Sequence, residues 1–286
     1  MSMENVLSRL IKRDKNTIFE LANRNIKTQY RGSVLGFLWT ILNPLLTMLI
    51  MWLVFDKIFG RSPYYPIYLL CGNIMFSALR ASTAGALTSI QNNRSLLLRT
   101  KVNPYVFPCA VSISTMINFF LSLIALIPFM IWLSVTQAQN LFTYRLLFIL
   151  FMLPAFWLFE FGLGMLLSVL YIFFKDIKHL YHVFLILWQY LTPIFYTIDR
   201  FEGNDVGPIV TIIRCNPMYH FVTYLRECTY MGAVGIDPMF PNDTFKIAEY
   251  IPQWGTLGIL YICGIGSAII GIVVYKLLKD KAVLKL

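Results

Sequence analysis

An all-α polytopic membrane protein is the fold class this sequence predicts, and three observations predict it. Hydrophobic residues make up 58% of the 286 and charged ones 13%, against about 25% charged in ordinary soluble domains. The mean hydropathy is +0.66. Six apolar stretches reach or nearly reach the roughly 20 helical residues that cross about 30 Å of hydrocarbon. A soluble core of this size has no room for so much apolar surface, so lipid must solvate much of it. The whole chain, 1–286, is expected to form one transmembrane domain, with no internal repeat, low-complexity tract or soluble module.

The first element is charged. From Glu4 to Lys27 the apolar Val6, Leu7, Leu10, Ile11, Ile18, Leu21, Ala22 and Ile26 recur near helical spacing. Lys12, Arg13, Lys15, Asn16, Asn23 and Arg24 fall mostly elsewhere on the wheel. That pattern predicts an amphipathic helix within 1–31, lying in the headgroup plane. Two roles are open to it: a solvated basic anchor, or a collar that also meets a cytoplasmic partner. With no apolar h-region, the first thirty residues are not expected to be a cleavable signal.

Tyr30 to Leu46, YRGSVLGFLWTILNPLL, joins this segment to the first span. Cationic Lys27 and Arg31, a small hinge at Gly32-Ser33, aromatic Phe37 and Trp39, and Asn43-Pro44 crowd into one short piece. Lys and Arg near a span's end favour the cytoplasmic side, and Trp favours the headgroup level. Pro44 removes a backbone donor and leaves a carbonyl for a neighbouring helix or water to meet.

Spans one to five are expected within 33–198: Ser33 to Phe55, Ile67 to Ile90, Tyr105 to Val135, Arg145 to Phe174 and Leu180 to Ile198. The fourth is longer than the bilayer needs and should tilt or protrude. An external segment, 199–255, precedes span six at 256–278. With the N-terminus inside, cytoplasmic segments hold sixteen Lys and Arg, external ones seven, and Arg80 lies within a span. This asymmetry predicts both termini in the cytoplasm. It also explains the net charge of +10 as topology and attraction to anionic lipid, which removes the case for nucleic acid.

Two connections stand out. In Gln91 to Pro104, QNNRSLLLRTKVNP, the triplet Leu96-Leu97-Leu98 sits between Arg94 on one side and Arg99 and Lys101 on the other. Solubility needs no leucine triplet, so something is expected to cover it. In the external segment, Ile209 to Tyr230 is largely apolar and broken at Asn216-Pro217. Two short apolar halves around a proline predict re-entrant half-helices or an interfacial lid between spans five and six. Non-spanning backbone at membrane depth is tolerated only against protein or a wet cavity.

Candidate sites follow from the costly residues. Arg80 and Glu160 are ionisable groups inside spans, each costing at least about 2.5–3.5 kcal/mol at the bilayer centre without a partner or water. Mutual pairing and the lining of a hydrophilic path are both open to them. Aromatics form 16% of the chain, many of them expected in interfacial belts. Tyr30, Phe37 and Trp39 near the first span, and Trp188, Tyr190, Phe195 and Tyr196 in the fifth, also offer flat faces on which sugar rings stack.

Missing chemistry narrows the function. There is no GxxxxGK[ST] phosphate loop, no HExxH and no GxSxG, so neither ATP hydrolysis nor those hydrolytic mechanisms are expected here. His179 and His182 stand three apart with no third ligand, and no cofactor or metal is expected in this chain. The five cysteines carry no CxxC spacing; Cys71, Cys109 and Cys263 read as small apolar residues, while a Cys215–Cys228 pair stays open.

YRGSVLGFLWTILNPLL, LLLRTKVNPYVFP, FFKDIKH, TPIFY and RCNPMYHFVTYLRE together resemble the membrane permeases of ABC transporters that export bacterial cell-surface polymers, across nearly the whole chain. O-antigen, capsular polysaccharide and teichoic-acid exporters belong there, and the first motif looks closer to the polysaccharide branch. The resemblance implies a six-span half-channel in the plasma (inner) membrane that forms a homodimer. Two copies of a cytoplasmic ATPase subunit would bind ATP and Mg. It implies that the first and fifth spans face the conduit and that the external half-helices guard its exit. The N-terminal helix and the link bearing Leu96, Leu97 and Leu98 would meet the ATPase. The cargo would be a polyprenyl-diphosphate-linked glycan, with Arg24, Lys27 and Arg31 receiving the diphosphate. A secondary transporter lacks support, since no inverted repeats are evident. A membrane transferase lacks clustered acids or histidines, and the full motif set argues against a drug or lipid exporter.

Overall fold

A computed structural model describes residues 3–59, 63–99, 102–138, 140–196, 207–231 and 254–285. All regular structure among them is helical. The amphipathic pattern becomes α1 (Met3–Gln29), which buries Leu21 and Ala22 and half-buries Ile18. Its apolar face packs on α5 (Val106–Ser122). The hinge follows: Gly32 and Gly36 take φ of +81° and +48°, left-handed values that glycine adopts without a Cβ penalty. The chain then enters α2 (Trp39–Phe59).

α3 (Tyr65–Asn92) is the central helix, touching α2, α5 and five of the helices introduced next. The short α4 (Arg94–Arg99) ends the connection after it. α5 continues through a 3-10 turn into α6 (Leu126–Thr136), and α7 (Ile149–Phe173) returns. α8 (Ile177–Leu191), the short α9 (Gly207–Cys215) and α10 (Pro217–Arg226), and the long α11 (Trp254–Lys285) complete the order. Among the described residues, four stretches are long and apolar enough to cross a membrane: Gly36–Val54, Val106–Thr136, Tyr144–Phe173 and Trp254–Lys279. The expected second span is α3, long but studded with amides and hydroxyls, of which Asn73, Ser82, Thr83 and Ser89 are buried. The expected fifth span is α8, 15 residues, or about 22 Å at 1.5 Å per residue.

Small residues set the tightest packing. α7 and α11 approach so closely that a Cβ on Gly162 would strike the Ser267 backbone, and one on Gly271 the Gly162 carbonyl. Ser267 donates to the Phe159 carbonyl at 2.9 Å and Tyr261 to that of Phe151 at 3.0 Å. Lipid supplies no hydrophobic drive between helices, so close van der Waals contact and such interhelical bonds hold them. α2 and α8 are held differently. α8 buries only Tyr181 and Leu185, with Trp188 half-buried beside them, a single i, i+4, i+7 stripe. α2 buries Pro44 and Met48 and leaves Leu46, Leu49, Ile50, Leu53 and Val54 exposed.

The Asn216-Pro217 break is a helix start. Asn216 Oδ1 accepts from Met218 N at 3.0 Å and from the Trp188 indole at 2.7 Å, while its Nδ2 donates to Thr192 Oγ1 at 2.9 Å. An Asn cap followed by Pro at the first helical position is the favoured way to open a helix. It here pins α10 to the end of α8. The irregular backbone after α8 is met by α3: the Tyr65 hydroxyl donates to the Phe195 carbonyl at 3.0 Å. The Tyr68 hydroxyl is shared between the carbonyls of Pro193 and Tyr196 at 3.0 and 2.5 Å. All five cysteines are free thiols, Cys215 exposed and Cys228 buried.

Candidate functional site

A cavity of about 280 Å³ opens between the end of α1 and helices α2, α3 and α5. Its wall carries Asn43 and Thr47 from α2, Asn73 and Ser77 from α3, and Asn118 and Ser122 from α5. Tyr30, Trp39 and Phe119 supply aromatic surface. A network fixes the rim: Tyr30 and Thr40 share a short hydroxyl–hydroxyl bond, and Asn118 Nδ2 donates to Gln29 Oε1 at 2.8 Å. The Tyr30 hydroxyl also reaches Asn118 Oδ1 at 3.4 Å. So the end of α1, the start of α2 and α5 meet at one polar spot. An amide in hydrocarbon is costly without a partner, and clustering these groups around a cavity gives each access to water.

A second cavity, about 480 Å³, lies between α1, α3 and α5 and is lined by Arg24, Asn25, Ser89, Asn92 and Asn93 among others. Arg24 donates to Asn93 Oδ1 at 2.8 Å. Lys27 and Arg31 are exposed and line neither cavity. Of the three cations assigned to a diphosphate, Arg24 alone is built into a concave polar surface.

The two aromatic groups are separate. Tyr30 and Phe37 pack edge to face at 6.1 Å beside Trp39. Trp188 sits half-buried among Phe76, Phe159 and Phe184 and lines a cavity of about 380 Å³ between α8 and α9. Phe195 is buried against Tyr190 at 5.9 Å, and the Tyr196 hydroxyl donates to the Tyr190 carbonyl at 2.9 Å. Of this group Tyr190 is the most exposed, at 64%.

Arg80 and Glu160 do not pair. Arg80 donates to Gln189 of α8 in a short bond and lies 5.5 Å over the Phe76 ring. The Glu160 carboxyl is fully buried beside Ser82 of α3. Leu96 and Leu97 are half-buried against the chain's own core, and only Leu98 stands exposed, at 67%. Arg94 and Arg99 are exposed on α4, while Lys101 lies outside the described residues.

Sequence patterning missed three groups. The amides Asn73 and Asn118 are isolated polar residues in apolar stretches, and that isolation was their signal. Asp14, 3% exposed, accepts from Asn103 Nδ2 at 2.6 Å and the Tyr105 hydroxyl at 2.9 Å. The Tyr275 hydroxyl in turn accepts from Tyr105 N at 3.1 Å, tying α1, α5 and α11 together. Arg226, counted as an external charge, is buried with its guanidinium 3.4 Å over the Tyr68 ring, and it donates to the Tyr68 carbonyl at 3.2 Å.

A family model described as ABC-2 type transporter matches residues 16–230. The O-antigen export system permease protein RfbA of Myxococcus xanthus is 29% identical over 217 residues, 76% of this chain and 81% of that one. Two proteins of the same name from Klebsiella pneumoniae are 24% and 26% identical over 260 and 273 residues, each match covering 91% of this chain and 90% of theirs. The matched region runs from α1 through the helix that follows Asn216, taking in both cavities, and the chain belongs to the ABC-2 type transporter family.

Proposed function

We propose that this chain is the membrane-spanning subunit of an ATP-driven exporter that carries a polyprenyl-diphosphate-linked polysaccharide of the O-antigen type out of the cytoplasm. The observation that carries the reading is similarity to O-antigen export permeases along 91% of this chain and 90% of theirs. In the bacterial inner membrane α3 and α8 act as the second and fifth spans beside the four apolar ones, and both termini face the cytoplasm. α9 and α10 form the re-entrant pair on the outer side.

A homodimer is supported by the wide exposed faces of α2 and α8, which a second copy would cover to enclose a conduit. ATP and Mg are bound by two copies of a separate ATPase subunit, which docks on α1 and on the exposed Arg94, Leu98 and Arg99 of α4. Exposed Tyr190, with Phe37 and Trp39 at the other end, offers stacking surface to passing sugars. Weak contacts at many places suit a cargo that must also leave. The test is a strain lacking this chain: surface polymer is lost while lipid-linked polymer accumulates inside, and both recover with the wild-type gene. Unchanged surface polymer contradicts the reading.

A further inference from the structure

We propose that the cavity between α2, α3 and α5 is a subsite for one uncharged sugar ring, held by amides rather than by charge. The inference rests on the exporter reading and names the part of the cargo this cavity takes. Three amides from three helices converge there: Asn43, Asn73 and Asn118. Asn73 is 6% exposed, so it is paid out of solvent almost entirely. Its amide nitrogen nevertheless donates to no described atom, and its oxygen receives one long bond, 3.4 Å from Ser77. Asn43 makes no hydrogen bond to any described residue. Asn43 is exposed at the cavity wall and Asn118 half-buried, so Asn73 is the buried amide of the three. Buried amides are normally satisfied, and Asn73 becomes so when the cavity holds hydroxyl groups, of water at rest and of a sugar in passage.

Two features narrow the ligand. Among the described residues no Lys, Arg, His, Asp or Glu lines the cavity, so a phosphate or a carboxylated sugar would lie there without a counter-charge from them, at high cost. Tyr30 and Trp39 add aromatic surface for the C–H face of a pyranose. An apolar wall with a few placed polar groups is the usual make-up of a small-ligand site. The volume of about 280 Å³ is near the lower end of such sites, which suits one ring with bound water rather than a run of sugars. The diphosphate is thereby left to the Arg24 cavity, and the two ends of the cargo are read at different places.

The test uses the full-length protein with its ATPase partner in lipid nanodiscs, carrying Thr47→Cys on the cavity wall. A hydrophilic methanethiosulfonate labels the introduced thiol, and peptide mass spectrometry reads the labelling rate. Neutral probes are the methyl glycosides of glucose, galactose, mannose and N-acetylglucosamine; charged probes are inorganic phosphate and glucuronate. At roughly 0.1 M, about a hundredfold above a millimolar Kd, at least one neutral glycoside is expected to slow labelling about threefold or more. Phosphate and glucuronate leave the rate unchanged, and Asn73→Leu or Asn118→Leu removes the protection. Asn73→Ser, smaller and still polar, serves if Asn73→Leu does not accumulate, and it is expected to weaken protection.

Protection by none of the neutral glycosides, equal protection by phosphate, or protection that survives both asparagine changes overturns the subsite. Surface polymer in the same strains separates this from the parent reading. Normal export without protection removes the subsite and leaves the exporter standing, whereas export that ignores loss of the chain removes the exporter.

Discussion

The hydroxyl of Ser122 is shared between the carbonyl oxygen of Thr40 at 3.3 Å and that of Asn118 in its own helix at 2.9 Å, and Thr40 is the residue whose carbonyl Pro44 leaves without its helical partner. α5 thus reaches α2 at the point where proline breaks its ladder. Ser122→Ala is expected to cost about 1 kcal/mol. In a Pro44→Ala background residue 44 regains its N–H and the loss shrinks, a coupling of about 0.5 kcal/mol or more in a double-mutant cycle. Thermal unfolding of the four proteins in detergent reads it.

A methyl group at Gly162 of α7 overlaps the Ser267 backbone of α11, whereas one at Gly258 of α11 meets nothing within 4 Å. Overpacking a tight contact typically costs about 1–3 kcal/mol, and more where backbone must move. Gly162→Ala is therefore expected to cut the amount of folded protein in membranes severely, while Gly258→Ala leaves it unchanged. Quantitative blotting of membranes with a fluorescence size-exclusion profile checks both.

Burial raises the Glu227 carboxyl from its ordinary 4.5 to about 7, and its Oε2 accepts no hydrogen bond from the described residues. The folded state therefore favours the protonated form more than the unfolded state does. That contribution is fully present below about pH 4.5 and is lost as pH rises through about 7. Glu227→Gln removes it, so the Tm difference, wild type minus variant, should fall between pH 5 and pH 8 and level off above. A flat difference across that window contradicts the assignment.

Asp14 holds the amphipathic helix to the connection before α5 through Asn103 and Tyr105. Bonds to a charged group are worth about 1.5–3 kcal/mol each. Asp14→Ala should therefore loosen α1, seen as faster tryptic cleavage at its Lys and Arg residues. Asp14→Asn, which keeps one acceptor, should lie between. Because α1 lies against the proposed ATPase face, both changes are expected to lower export more than they lower protein amount.

Much of the fold was legible in the residues. Asn43-Pro44, the Gly32 hinge and the Asn216-Pro217 helix start are local rules with local causes, and each stands where the sequence places it. Spacing also gave the α1 face, though not its partner α5, because periodicity says which side is apolar and never what covers it. The same limit explains Arg80 and Glu160. Both were visible as costly, but their partners, Gln189 and the neighbourhood of Ser82, depend on helix rotation and on which helices are adjacent. Arg226 was counted with the external charges by its place between spans, whereas it is buried with its guanidinium on the Tyr68 ring and carbonyl. Asn73 and Asn118 lie far apart in the chain, so only tertiary packing makes them one site. The 15-residue α8 is shorter than the apolar run because Pro193 ends it, and Tyr65 and Tyr68 then satisfy the extended backbone beyond.

The measurement closest to the central claim is translocation in proteoliposomes that hold this chain and its ATPase subunit, loaded with a polyprenyl-diphosphate-linked glycan. Exposure of the glycan to an added glycosidase on the far side reports the transfer. Transfer is expected only with both subunits and hydrolysable ATP, and with ATPase activity residing in the partner. Full-rate transfer by this chain alone, or none by the assembled pair, would contradict the account.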